Sequence, residues 1–267
     1  MSGPLDLTPS LEKISRAERK FNHVKAMLDE WTVNGVDCAI RRELHGQRCH
    51  VIGRVESLPP EDVSWEIVEA VGHLRSALDK MVVALVKANG RGVSGVGFPF
   101  GGSGPDGKPE PFPSARHDGL KKKLTPDQWR LVLAQEPHPG GNNLLWAVNE
   151  IANEDKHRES LVKVFPSFVL HSSQFTSRGL FFTGGATRSA FAIGGDSDFF
   201  CPDQERETLL ASYAFGPGSV HPEMEHSVTF HVVFGKIVPV TGKEVLGTLY
   251  QQLRLVKGIV EIFRNTF

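Results

Sequence analysis

The sequence predicts an α+β fold: a helical bundle with an N-terminal β-hairpin, followed by an antiparallel sheet and a closing C-terminal helix. Three observations predict it. Apolar residues recur at threes and fours through much of 9–164, the spacing of buried helix faces. Across 165–240, β-branched and aromatic runs alternate with Gly, Pro and Asp signals. Over 241–267 a single helical stripe returns. One continuous domain over 1–267 is expected, with these three stretches as its sub-regions.

Thr8-Pro9 supplies a cap and a first-turn proline for a helix over 9–32, whose apolar face is Ile14, Phe21, Val24, Leu28 and Trp31. Residues 37–44 and 48–56 flank His45-Gly46-Gln47 and read as a hairpin. A turn at His45-Gly46 would set Arg42 opposite Cys49. A second helix is expected over about 62–89. Residues 90–113 then hold eight glycines and five prolines, which only a loop accommodates. Thr125-Pro126-Asp127-Gln128 is a capping box opening a helix that Pro137 and Pro139 close. A fourth helix is expected over 142–163. The strands predicted next are 168–172, 179–183, 189–193, 208–215 and 227–234, and Thr241-x-x-Glu244 caps the last helix.

Composition excludes some functions. Thirty basic against thirty-one acidic residues leave a formal charge of −1, too little for a general field towards nucleic acid or an anionic membrane. No run approaches the roughly 20 apolar residues of a membrane span, and the N-terminus lacks the pattern of a signal peptide, so a cytoplasmic protein with no membrane partner is expected. Cys38, Cys49 and Cys201 are an odd number with no Cys-x-x-Cys pair, and read as free thiols. Neither a metal nor another cofactor is expected. Gly102 to Lys108 imitates a phosphate loop, but Pro109, Pro111 and Pro113 forbid the helix that should follow. Lys121-Lys122-Lys123 reads as a solvated helix face. His226 and His231 fall on opposite sides of a regular strand and do not share a metal.

The chemistry concentrates on two helices. On the second, Val63, Ile67, Leu74, Leu78, Met81 and Leu85 form one stripe, with Val68, Gly72, Val82 and Val86 beside it. Arg75 and Asp79 fall inside that second row, four residues apart. On the fourth, Asp155 and Glu159 stand at the centre of a stripe of Leu144, Val148, Ile151, Ala152 and Val162, where leucines would be expected. Buried carboxylates need a cation or a polar ligand. The expected cluster is therefore Arg75, Asp79, Asp155 and Glu159, either bracing the two helices or lining a polar pocket. Asn149, Asn153 and His157 fall on the opposite face and do not form a metal set. His157, beside Asp155 and Arg158, is kept as a general acid or base.

Two segments, His73-Leu-Arg-Ser-Ala-Leu-Asp79 and Asn149-Glu-Ile-Ala-Asn-Glu-Asp-Lys-His-Arg158, resemble a family of bacterial proteins of actinobacterial type. The hairpin, Phe98-Pro99 and Gln135-Glu-Pro137 follow in the same order, so the resemblance covers about 10–165 and implies no activity. The first segment also resembles the divergent edge of HEPN domains, helical bundles that bind nucleotides or cleave RNA with an Arg-x(4–6)-His motif. Here position 80 is Lys, and neither Arg75 nor Arg158 has histidine four to six residues on. The resemblance implies binding of nucleotide or RNA without cleavage.

Three functions follow from these residues. The first is a binding module whose partner is a small polar ligand, a nucleotide or RNA, with Arg75, His73, Lys156 and Arg158 as ligand-binding residues. The second is an acid–base enzyme acting on an anionic small molecule, with Asp79, Asp155 or Glu159 as base, His157 as acid and residues 90–113 as a lid. The third is a structural or assembly protein. The sequence leaves open whether the protein is an enzyme and allows a homodimer.

Overall fold

A computed structural model describes residues 5–34, 41–45, 48–54, 58–102, 110–153, 161–170, 180–181, 207–215, 226–235, 237 and 239–267. Two compact units divide the chain. Unit 1 takes Met1–Ala26, Glu61–Leu161 and Phe234–Phe267, and unit 2 takes Met27–Pro60 and Val162–Val233.

Unit 1 corrects the α+β expectation. Among the described residues it is mostly helical, holds five of the six α-helices whole together with Thr8–Ala26 of the first, and contains no sheet. Helix α1 (Thr8–Asn34) starts one residue earlier than its sequence signal, because the Asp6 carboxylate accepts the Thr8 N–H at 3.0 Å. Burial of Ile14, Phe21, Val24, Leu28 and Trp31 matches the apolar face expected of it. In α2 (Asp62–Ala88), Val63, Ile67, Leu74, Leu78, Met81 and Leu85 are fully buried. Each contributes about 1.5–3 kcal/mol by leaving water, which outweighs the weak intrinsic helix preference of Val and Ile.

A 3-10 turn (Ala115–His117) and the short α3 (Asp118–Lys121) lead to α4 (Pro126–Leu133). The Thr125 hydroxyl accepts the Gln128 N–H and the Gln128 side chain accepts the Thr125 N–H, the reciprocal cap expected. Helix α5 (Asn143–Ala152) is capped by the Asn142 side chain, which accepts the Leu145 N–H at 3.1 Å. It stops ten residues or so short of the expected 163, with Asn153 closing its last turn, and Val162 opens a strand instead. Val162 therefore belongs to a strand and not to the helical stripe expected of it. Helix α6 (Val245–Thr266) packs on α2 and α5 and buries Val245, Leu249, Val256, Val260 and Phe263. Glu244, expected as the third residue of a capping box, is the cap itself, and its carboxylate accepts the Leu246 and Gly247 N–H groups.

Unit 2 contains strands β1 (Arg41–His45), β2 (Arg48–Arg54), β3 (Val162–Leu170), β4 (Leu180–Phe181), β5 (Glu207–Phe215) and β6 (His226–Phe234). Among the described residues, the strands of 165–240 do not form one sheet of their own. The N-terminal hairpin joins β5 in the order β1-β2-β5-β4, and β3 pairs with β6 separately. Pairing of His45 with Arg48 sets Cys49 opposite Leu44, and Arg42 opposite Val51 rather than Cys49. A bulge between Val51 and Ile52 shifts the β2–β5 register. The run 189–193, Cys38 and Cys201 lie outside the described residues.

Candidate functional site

Helix α2 carries the described part of the predicted cluster. At about 100° per residue, Arg75 and Asp79 project from one flank of its buried stripe and His73 from the other. Their contacts agree. The Arg75 guanidinium donates to the Asn153 side-chain oxygen at the end of α5, whereas His73 lies 3.9 Å from Glu69 and is surrounded by cations of α1. His73 and Arg75, both expected as ligand-binding residues, thus stand on opposite flanks of the helix. Asp155, Lys156, His157, Arg158 and Glu159 lie outside the described residues.

Asp79 is half-buried, and its Oδ1 accepts the Phe98 N–H at 2.8 Å. Burial pushes its carboxyl above the ordinary range, opposed by the Phe98 N–H, Arg75 and Lys80. A methyl group at Gly97 would stand 3.1 Å from the same oxygen, so the loop backbone closes directly on the carboxylate. This geometry lets Asp79 anchor the loop entering at 97–98.

His73 shows the opposite environment. Burial lowers its pKa first; Lys13, Arg16 and Lys20 lower it further, and Glu69 pulls it upward. The imidazole is therefore held neutral beside cations.

A cluster not anticipated from the sequence closes the glycine-rich segment. His117 Nδ1 accepts the Ser114 N–H at 3.0 Å, which requires a neutral ring, and burial lowers its pKa accordingly. Arg116 donates to the Phe100 carbonyl at 2.7 Å and pairs with Glu110 at 3.4 Å. Phe112 meets His117 edge-on at 5.4 Å and stacks on His138 at 4.9 Å. A Cβ at Gly101 would lie 2.3 Å from the His138 Cβ, so only glycine permits this approach. Ser114-x-x-His117 was the available signal: a cap whose third residue is an imidazole in place of Glu or Gln. Lys123, read as solvated, instead donates to the Ser94 carbonyl at 2.8 Å.

Among the described residues, no three His, Cys, Asp or Glu side chains converge as metal ligands. None of the helices described is long and apolar enough to cross a membrane. No family profile, curated protein or solved structure matches the chain.

Proposed function

We propose that unit 1 is a binding module that holds a polar ligand of nucleotide or RNA type without turning it over. One observation supports this reading: Arg75, in the HEPN-like segment, reaches Asn153, in the second segment of the actinobacterial-type resemblance, so a guanidinium and an amide from the two segments meet at the end of α5. A guanidinium beside an amide suits phosphate and base recognition. The absence of histidine after Arg75 and the engagement of Asp79 by the Phe98 N–H favour binding over acid–base catalysis.

The test is titration of the full chain with ATP, ADP and a short single-stranded RNA, followed by calorimetry and product analysis. Saturable binding that weakens about tenfold in Arg75→Met, with no product formed, is the expected result. Absence of binding across the panel overturns the proposal; turnover moves the protein to the enzyme reading.

A further inference from the structure

We infer that the groove between α1 and α2 is a second, independent site, and that it takes the phosphate groups of a small polyphosphate-type anion. Its lining is Arg16, Arg19, Lys20, His23 and His73, and its volume is about 480 Å³. All five are basic, and the carboxylates nearest to them, Glu66 and Glu69, stand at the Lys20 and His73 side.

The first four follow at i, i+3, i+4 and i+7, so they form one row along α1 over about 10 Å, beside the buried row of Ala17, Phe21 and Val24. This row is fixed in place because the apolar row next to it is buried. His73 approaches from α2. Lys20 is held at 2.9 Å by both Glu66 and Glu69, which neutralise it and fix its ammonium. Arg19 bonds only to the neutral Ser15 hydroxyl at 3.1 Å, and among the described residues Arg16 and His23 make no ion pair. Two guanidinium groups are thus left for a ligand.

Evenly mixed surface charge needs no such arrangement in a chain of net charge −1. Two forked guanidinium donors a helical turn apart match the oxygens of adjacent phosphates better than one carboxylate would. The neutral imidazole of His73 adds a donor without adding charge repulsion. The groove is open along one side, so a ligand larger than its phosphates can extend into solvent.

This inference does not rest on the Arg75 reading, and one experiment separates them. Inorganic pyrophosphate is titrated into the full chain by calorimetry at low and at physiological salt. Compared with wild type are Arg16→Ala/Arg19→Ala, Arg75→Met and Lys121→Ala/Lys122→Ala. Both arginines are exposed, and a circular dichroism melt verifies that the double variant folds. The expected result is saturable binding that weakens about tenfold per guanidinium removed from Arg16 and Arg19 and is unchanged in the Lys121/Lys122 variant; binding lost only in Arg75→Met belongs to the Arg75 site and overturns the inference. Binding lost equally in the Lys121/Lys122 variant, retained in the Arg16/Arg19 variant, or absent throughout overturns the inference. So does a single-stranded RNA that outcompetes pyrophosphate a hundredfold at this groove, since the ligand would then be a nucleic-acid backbone.

Discussion

The two flanks of α2 treat charge in opposite ways. On one, Asp79 is drawn under the Gly97–Phe98 backbone and its oxygen receives an amide proton, while Arg75 reaches the cap of α5. On the other, His73 faces Lys13, Arg16 and Lys20, Glu66 and Glu69 both hold Lys20, and Glu69 also lies 3.9 Å from His73. Both flanks border the same buried stripe. The difference shows that a carboxylate beside an apolar row is not thereby a site residue, because the Asp79 oxygen is already answered by the Phe98 N–H.

Removing space should expose that difference most sharply. Gly101→Ala puts a methyl group into His138 backbone and Cβ, with no flexible side-chain tip to give way. We expect a loss of about 3 kcal/mol in urea melts, since overpacking against backbone is at the upper end of such costs. A variant as stable as wild type would mean the loop cluster is not packed as described. Next in size, Asp79→Ala leaves the Phe98 N–H without its acceptor, for a loss of about 1–3 kcal/mol. Asp79→Asn keeps an oxygen there and should lose less than about 1 kcal/mol; equal losses in the two would refute the anchoring role.

The flanks also differ in the sign of their pH dependence. Asp79 is raised in the folded chain, so the folded state keeps that proton to higher pH than the unfolded state does, and stability falls as pH climbs from the ordinary 3.8 through the raised value. His73 is lowered, so its contribution is complete above the ordinary 6.5 and is lost as pH falls below it. Urea melts of Asp79→Asn and His73→Gln against wild type, between about pH 4 and 7, should remove these slopes one at a time. Smallest of all, Arg16→Ala and Arg19→Ala should each change stability by no more than about 0.5 kcal/mol, because their charged ends serve no internal contact that holds the fold. A larger loss would place the groove among the braces.

How much of this was legible in the sequence varies with how local the determining physics is. The stripe of α2, the Thr125–Gln128 cap and the face of α6 were readable because each depends on residues within one or two turns. The end of α5 was not. Val162 lies at a helical interval from Ile151, and nothing nearby announces that Asn153 closes the turn and that Val162 pairs in a strand. The expected sheet failed for a related reason: β propensity registers a side chain's fit to a pleated surface, and which strands share that surface is decided by partners far along the chain, here the N-terminal hairpin. Of the candidate site, the spacing of Arg75 and Asp79 is legible, but their partners, Asn153 and the Phe98 amide, are 78 and 19 residues away and carry no pattern. The row Arg16, Arg19, Lys20, His23 is legible as spacing, but its partner His73 lies on another helix and carries no pattern with it.

Unit 1 is assembled from three separated stretches, and α6 packs on both α2 and α5. Helix α5 ends at Ala152 and α6 begins at Val245. At about 5–20 residues per second, a ribosome takes roughly 5–20 s to make the chain between them. During that interval the apolar face of α2 awaits its last cover, so a nascent chain halted before residue 245 should be held by chaperones and sensitive to protease, and should become resistant only once α6 has emerged.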